Sequence, residues 1–267
     1  MRALFFLQGY FGEQIAALIE PLEPIIYTYS AAVARKHHKP FLREKCRYIK
    51  ETRYESEKIR IAKDDIVFCG GWTKDFFHYT PHEFNIYYIH PSLLPMYRGV
   101  GAVSAQFEKG VAIGGVSIYL DSDRVDAGDI VYQEMVRIEH NDYPEDYLSN
   151  CAAGAYRGIR AILNGGVAGT KQNDLLATAA GRVRSRDAIL DVNLSAASFY
   201  NFVRAHSRPY SGARLFMDGR FITVWRCSIE SWNGVCGKSG EIVGESDYGV
   251  EMACGEGSVI LTEIAEV

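Results

Sequence analysis

The sequence lacks several patterns that would define its chemistry at once. Its six cysteines are scattered and form no C-x-x-C pair, so neither a disulfide framework nor a zinc site is indicated. We therefore expect reduced thiols and a cytoplasmic protein. No apolar run approaches the roughly 18–20 residues of a membrane span. A Walker loop, a G-x-G-x-x-G fingerprint and a G-x-S-x-G elbow are also missing, and the residues indicate no metal site.

A surplus of positive charge is missing too. The 267 residues carry a formal net charge of −4, whereas domains that bind a nucleic-acid backbone are usually basic. We expect no nucleic acid and no membrane as partner, although a few arginines could hold a small anionic ligand. The hydrophobic fraction of 48% is that of an ordinary globular protein.

The order of apolar runs predicts an α/β fold. A strand at Ala3–Leu7, a helix at Glu13–Glu20 and a strand at 24–29 form a β-α-β opening, which is typical of a Rossmann-like, mostly parallel sheet. Further predicted strands are 66–69, 85–89, 114–120 and 129–138, and a helix is predicted at 143–163. After a helix at 195–206, short β-like runs alternate with glycines. We predict a catalytic domain at 1–188 and a small β-rich domain at 189–267.

The most informative segment is the turn that begins at His90 and ends at Gly99, directly after a predicted strand. Its histidine could simply be a structural residue of a rigid turn. Asp126 follows another predicted strand, however, and a carboxylate beside an imidazole suits proton transfer near neutral pH. Ligands of open parallel sheets bind where the strands end, and we expect His90 and Asp126 to meet there.

These segments resemble the N10-formyltetrahydrofolate-dependent formyltransferases. The chain contains His90-Pro-Ser-Leu-Leu-Pro-Met-Tyr-Arg-Gly99, then Gly115-Val-Ser117 and Asp126-Ala-Gly-Asp-Ile130. The stretch from Phe202 to Ala213 is similar to the C-terminal domain of the members that act on methionyl-tRNA and on nucleotide-linked amino sugars. The member that acts on glycinamide ribonucleotide lacks that domain, so it fits less well.

The resemblance implies a catalytic trio of Asn, His and Asp. His90 would stabilise the oxyanion and shuttle a proton, and Asp126 would hold His90 and assist removal of the amine proton. The position of the family asparagine is Tyr88 here. Tyr88 and His90 should face the same side of their strand, so the tyrosine hydroxyl could act as the donor, or the chain could be an impaired member.

The resemblance also implies binding residues. Those expected for the folate lie in two loops: Gly71, Trp72, Thr73, Lys74 and Asp75, then Asp121, Asp123 and Val125. Those expected for the substrate are Ser92, Met96, Tyr97, Arg98, Gly99, Arg204 and Tyr210. Three simpler alternatives stay open: Trp72 as a core aromatic, Arg98 as an exposed arginine, and Arg204 with Tyr210 as ties between the tail and the core.

Formyl transfer from N10-formyltetrahydrofolate to a primary amine is the implied activity. The preferred acceptor is an amino sugar linked to UDP, dTDP or GDP, because an acidic chain suits a large polyanion poorly. A hydroxylated amino acid and methionyl-tRNA are the alternative acceptors. An alternative from another functional class is a protein that binds folate or a nucleotide sugar but catalyses no reaction. The resemblance also implies a homodimer.

Overall fold

Strands alternate with helices in the first part of the chain, and strands dominate after residue 212. The computed structural model describes residues 2–22, 24–28, 46–48, 61–72, 84–166, 168–182, 184, 186, 188–217, 219–229 and 237–266. The strands are β1 Ala3–Leu7, β2 Ile25–Thr28, β3 Cys46–Tyr48, β4 Ile66–Gly70, β5 Asn85–His90, β6 Ile113–Leu120, β7 Ile130–Arg137, β8 Ala213–Met217, β9 Arg220–Ser228, β10 Ile242–Ser246, β11 Gly249–Ala253 and β12 Ser258–Glu266. The helices are α1 Gly9–Leu18, α2 Ala102–Glu108, α3 Pro144–Leu163 and α4 Ala196–His206.

The first sheet has the strand order β3-β2-β1-β4-β5-β6-β7. Pairing is parallel from β3 to β5 and antiparallel for β5–β6 and β6–β7, so β6 alone among these strands is reversed. Strands β1 and β4 are buried along almost their whole length, as strands covered on both faces are. The predicted α/β fold with a mostly parallel sheet is confirmed.

Helix α1 begins four residues earlier than the sequence pattern predicts. Its glycines are part of the helix and do not form a loop. A Cβ atom at Gly12 would lie 2.9 Å from the backbone carbonyl carbon of Leu7. Glycine is therefore required there because the helix packs directly on the end of β1.

The second sheet is antiparallel, in the order β10-β11-β12-β9-β8, which confirms the predicted β-rich C-terminal part. Helix α4 begins after Ser195, whose hydroxyl accepts a hydrogen bond from the backbone N–H of Ser198 at 3.2 Å, an N-cap arrangement. The apolar face of α4 packs on the sheet, and its fully buried members are Phe199 and Val203.

The chain divides into two compact units. The first comprises Met1–Gly99, Ile113–Arg137 and Tyr147–Ala179, and the second comprises Val100–Ala112, Ile138–Asp146 and Ala180–Val267. Residues 100–112 belong to the second unit because α2 packs against α4, where the Ser104 hydroxyl donates to the Ala205 carbonyl at 2.9 Å. A domain boundary at residues 188 and 189 stays a prediction.

The described cysteine side chains behave as buried hydrophobic groups. Cys69, Cys151, Cys227 and Cys254 are free and buried. Burial raises the pKa of Cys151 to about 12, so this thiol stays protonated and is a poor nucleophile. Among the described residues, no helix is both long and apolar enough to cross a bilayer.

Phe199 should contribute strongly to the stability of the second unit. Its side chain is fully buried, whereas that of Phe216 is 58% exposed. We expect Phe199→Ala to lower the free energy of unfolding by about 3–5 kcal/mol, since it removes transfer energy and leaves a cavity. Urea denaturation measures this change. Phe216→Ala is the matched control and should cost less than about 1 kcal/mol; equal losses would contradict the described packing.

Asp65 should make stability depend on acid pH. Its buried carboxylate accepts hydrogen bonds from the Arg2 guanidinium and from the backbone N–H groups of Arg2 and Ala62. The Arg2 side chain is the main reason why the pKa of Asp65 falls from 3.8 to about 2. A carboxyl whose pKa is lower in the folded state stabilises above its unfolded pKa, and that contribution is lost as the pH falls from about 4 to about 2.

We expect Asp65→Asn to lower the free energy of unfolding at pH 7 by about 1–3 kcal/mol, the contribution of a hydrogen bond to a charged group. The difference from the wild-type protein should shrink towards pH 2, as measured by thermal unfolding across that range. Asp64→Asn changes the adjacent exposed carboxylate and should have little effect at any pH. A deficit for Asp65→Asn that is constant with pH would refute the ion-pair explanation.

Candidate active site

His90 is the last residue of β5, and its side chain is only 10% exposed. Its Nε2 lies 2.8 Å from the carbonyl oxygen of Tyr97. Because a carbonyl can only accept a hydrogen bond, Nε2 carries the proton and donates it. Nδ1 is thus the ring nitrogen that remains for proton exchange.

Asp126 lies in the loop between β6 and β7 and faces that nitrogen. Its Oδ2 is 3.6 Å from Nδ1 of His90 and accepts a hydrogen bond from the backbone N–H of Gly99 at 2.6 Å. Its Oδ1 accepts a hydrogen bond from the Tyr119 hydroxyl at 2.5 Å. The predicted meeting of His90 and Asp126 is therefore present in the structure, and both oxygens of the carboxylate have a protein donor.

The prediction that both residues follow strands ending at the same edge of the sheet is wrong. Strand β6 is antiparallel to β5, with His90 opposite Ser117 and Tyr87 opposite Leu120, so the carboxyl end of β6 points away from His90. The loop reaches the histidine because it folds back over the sheet. Asp126 has a φ angle of +52°, which is uncommon for a residue with a side chain.

Gln172 holds this folded-back loop in place. The side chain is buried, and its Nε2 donates to the carbonyl oxygens of Asp126 at 3.0 Å and Gly128 at 2.7 Å. Its Oε1 accepts two hydrogen bonds from the Arg98 guanidinium, at 3.2 and 2.7 Å. One amide side chain therefore joins the loop that carries Asp126 to the turn that follows His90.

The turn after His90 is held by its own hydrogen bonds. Ser92 is fully buried, and its hydroxyl donates to the Met96 carbonyl at 2.8 Å. Tyr97 has a φ angle of +59°, and its backbone N–H donates to the Thr178 hydroxyl at 2.8 Å. Met96, which is 40% exposed, presents apolar surface. Substrate contact stays a prediction for these residues, and the Ser92 hydroxyl already serves the turn.

Arg98 was expected to meet an anionic substrate. Its guanidinium donates to Gln172 and also to Asp174, at 2.9 Å, and its side chain is 13% exposed. Hydrogen bonds from Arg124 and then from Arg98 lower the pKa of Asp174. The positive charge of Arg98 therefore already has a carboxylate partner, and phosphate binding by Arg98 stays a prediction.

Tyr88, which the resemblance implies is at the position of the family asparagine, is 5% exposed. It faces the same side of β5 as His90, as expected for residues two apart on a strand. Its ring stacks on that of Tyr119, with centroids 5.6 Å apart and planes 23° apart. The two tyrosines are direct cross-strand neighbours, and such aromatic pairs stabilise a sheet.

Among the residues expected to bind folate, Gly71 must be a glycine for a structural reason. Its φ is +65°, and a Cβ atom there would lie 2.2 Å from the carbonyl oxygen of Gln8. Trp72 is 7% exposed and packs edge-on against Phe6, which agrees with the core-aromatic alternative. Thr73, Lys74 and Asp75 lie outside the described residues. In the other loop Asp121 is half-buried, whereas Asp123 and Val125 are exposed.

Arg204 and Tyr210 lie in the second unit. Arg204 is buried, donates to the carbonyl oxygens of Asp142 at 2.8 Å and Glu139 at 2.9 Å, and stacks over the Phe107 ring. Burial lowers its pKa. These contacts favour a packing role for Arg204. Tyr210 is 39% exposed, and its contact with substrate stays a prediction.

Two profiles of known protein families match the chain. The profile described as "Formyl transferase" matches residues 55–163, and the profile described as "Formyl transferase, C-terminal domain" matches residues 182–266. The chain belongs to the formyl transferase family. The first match includes both His90 and Asp126.

A curated relative in this family is the methionyl-tRNA formyltransferase of Geotalea daltonii. It is 29% identical over 180 residues, which are 66% of this chain and 56% of the relative. The chain thus matches about half the length of the curated relatives.

Solved structures of this fold include HypX from Aquifex aeolicus in complex with tetrahydrofolic acid. Its TM-score is 0.74 at 16% identity, and the match covers 100% of this chain and 44% of HypX. They also include an N-formyltransferase from Helicobacter canadensis in complex with folinic acid and dTDP-3-aminofucose. Its TM-score is 0.66 at 14% identity, with coverage of 98% of this chain and 99% of that protein.

Sequence reasoning missed the residues of this chain that support the His90–Asp126 pair. The sequence pattern placed Tyr119 only in a predicted strand and gave Gln172, Asp174 and Thr178 no functional role. Tyr119 could have been noticed because it lies two residues after Ser117, on the same face of the strand that leads into the Asp126 loop. No local pattern identifies Gln172, because its partners are 44 and 46 residues away in sequence.

We expect Gln172→Leu to destabilise the first unit. The change leaves the Asp126 and Gly128 carbonyl oxygens and the Arg98 guanidinium without this partner, and buried unsatisfied groups cost about 1–3 kcal/mol each. The free energy of unfolding, measured in urea, should fall by about 2–4 kcal/mol. Lys171→Leu, at the exposed neighbouring position, is the control and should be nearly neutral; equal effects would contradict the role of Gln172.

Proposed function

We propose that the chain transfers a formyl group from N10-formyltetrahydrofolate to the primary amine of a nucleotide-linked amino sugar. The amine nitrogen attacks the formyl carbon and forms a new C–N bond. The bond between that carbon and N10 breaks, and tetrahydrofolate leaves with the proton that replaces the formyl group on N10. The products are an N-formylated sugar and tetrahydrofolate.

The observation that carries the proposed chemistry is the orientation of the His90–Asp126 pair. Nε2 of His90 is engaged by the Tyr97 carbonyl, so Nδ1 and the Asp126 carboxylate face each other at 3.6 Å. A tetrahedral intermediate needs a donor for its oxyanion and a group that accepts the amine proton. Nδ1–H of a protonated His90 would serve the first need, and the carboxylate would assist the second.

The donor site is proposed to include the loop that carries Asp126. Residues 123–125 of this loop are exposed, so their surface is available to a flat heterocycle that has donors and acceptors along its edge. The family relation and the folate ligands of the two related structures support this assignment. Gly71 lies after the neighbouring strand β4, and we assign it to the same site.

The amino sugar is the preferred acceptor for two reasons. The Helicobacter canadensis enzyme, which holds a dTDP-amino sugar, matches 98% of this chain and 99% of its own length, whereas the solved methionyl-tRNA formyltransferase of Clostridium thermocellum matches 86% of this chain and 94% of its own length. The net charge of −4 also fits a polyanionic tRNA poorly. Methionyl-tRNA remains the second candidate acceptor because it is the substrate named for the sequence relatives.

Binding and turnover test this proposal together. Calorimetry with 5-formyltetrahydrofolate, a stable isomer of the donor, should give micromolar binding to the wild-type protein. Mass spectrometry should then detect N-formylation of at least one amino sugar among those linked to UDP, dTDP and GDP. His90→Gln and Asp126→Asn should keep folate binding and lower turnover by about 10²–10⁴, the usual contribution of general acid–base catalysis.

Controls separate the outcomes. Asp247→Asn, which changes an exposed carboxylate in the second unit, should leave both binding and turnover unchanged. Tyr88→Phe lowers turnover by about 10²–10³ if its hydroxyl replaces the family amide. Formylation of methionyl-tRNA alone would overturn the sugar assignment. Folate binding with no turnover on any amine would identify an impaired member, and a folded protein that binds no folate would overturn the donor.

A further inference from the structure

Tyr119 occupies a fixed place beneath the candidate active site. It is 5% exposed and belongs to the buried cluster that includes Cys69 and Tyr88 on the neighbouring strands. Cys69 pairs with Tyr88 across β4 and β5, and Tyr88 pairs with Tyr119 across β5 and β6. The stacked Tyr88 ring supports one face of Tyr119, so the direction of the Tyr119 hydroxyl is set by the sheet.

The Tyr119 hydroxyl can only act as a donor towards Asp126. It lies 2.5 Å from Oδ1 of that residue. Burial first, and then the negative charge of Asp126, raise the pKa of Tyr119 well above its usual value. The hydroxyl therefore keeps its proton at any physiological pH, and the hydrogen bond to the carboxylate is charge-assisted.

The two oxygens of Asp126 consequently have different partners. Oδ1 is held by Tyr119, whereas Oδ2 receives the Gly99 N–H and faces Nδ1 of His90. A carboxylate held at one oxygen only can still turn about its Cβ–Cγ bond. Hydrogen bonds to both oxygens, from donors on separate segments, fix that rotation and hence the distance between Oδ2 and the imidazole.

The loop itself would not fix the carboxylate. Asp126 has a left-handed φ of +52°, a conformation that persists only when the surroundings enforce it. Gln172 fixes the backbone through the Asp126 carbonyl, but it does not touch the carboxylate. The side-chain orientation therefore depends on Tyr119 and Gly99.

We propose that Tyr119 is a positioning residue of this site, whose hydroxyl holds the Asp126 carboxylate so that Oδ2 faces Nδ1 of His90. Its kinetic consequence rests on the proposed formyl transfer, whereas its effect on the imidazole does not. Tyr119 acts together with Tyr88, since the stack that aligns it requires an aromatic ring at position 88.

Tyr119→Phe is the decisive variant because it removes the hydroxyl and keeps the stacked ring. In the formyl-transfer assay of the preceding subsection, kcat should fall about ten- to hundredfold relative to the wild-type protein, the penalty for a slightly misplaced catalytic group. The KM values for donor and acceptor should stay within about twofold, because a change confined to kcat reports an interaction of the transition state. An unchanged kcat would overturn the kinetic part of the inference.

Tyr132→Phe is the matched control. Tyr132 lies on the adjacent strand β7, and its hydroxyl donates to the Glu134 carboxylate at 2.5 Å. Both variants lose one tyrosine–carboxylate hydrogen bond, and loss of the half-buried Tyr132 hydroxyl should lower the midpoint of thermal unfolding no more than loss of the buried Tyr119 hydroxyl. Only Tyr119→Phe should lower kcat. Equal losses of kcat would show that general destabilisation is the cause and would overturn the proposal.

Nuclear magnetic resonance of the histidine rings provides a readout without any ligand. The seven histidines can be labelled with ¹⁵N, and the His90 signals identified by their disappearance in His90→Gln. We expect Tyr119→Phe to move the Nδ1 resonance of His90, and Tyr132→Phe to leave it in place. An unmoved resonance would overturn the proposal even if the wild-type protein showed no turnover, so its failure is distinct from failure of the proposed function.

Discussion

The antiparallel pairing of β6 with β5 is the constraint on which the candidate site depends. It places Tyr119 directly beside Tyr88 and sets Ser117 opposite His90. It also directs the end of β6 away from the histidine, so the following loop has to fold back over the sheet to bring Asp126 to His90. A parallel β6 would end at the same edge as His90 and would not need this return.

The returning loop and the turn after His90 each contain a non-glycine residue whose backbone is in the left-handed region. These residues are Asp126 in the loop and Tyr97 in the turn. Such conformations cost free energy and concentrate at functional sites. The cost is offset by two hydrogen bonds: the Gln172 side chain donates to the Asp126 carbonyl, and the Thr178 hydroxyl accepts from the Tyr97 N–H. Gln172 and Thr178 lie in a segment without regular strands. This segment therefore joins the two strained loops, and the His90–Asp126 distance is fixed before any ligand arrives.

Much of the fold followed from the sequence because it rests on local signals. Buried strands such as β4 appear as short apolar runs, and α4 begins at a serine cap. The His90 turn was also visible, since two prolines and a glycine enclose it. The reversal of β6 was not, because strand direction and register depend on contacts between distant residues. Tyr119 and Gln172 were missed for the same reason: each acts through a partner that only the folded chain brings close.

An exchange of the family asparagine for Tyr88, as the resemblance implies, would change how the proposed reaction stabilises its oxyanion. An asparagine amide lies close to the strand, whereas the phenol of Tyr88 lies at the far end of a ring that stacks on Tyr119. The loss of one oxyanion donor costs about 10²–10³ in rate, which is small beside the total acceleration of at least about 10⁶ that enzymes achieve. Most of the stabilisation would then fall on His90. Because Nε2 is engaged by the Tyr97 carbonyl, Nδ1 would have to donate to the oxyanion, and the orientation of the Asp126 carboxylate beside it would matter more than in a relative that keeps the amide.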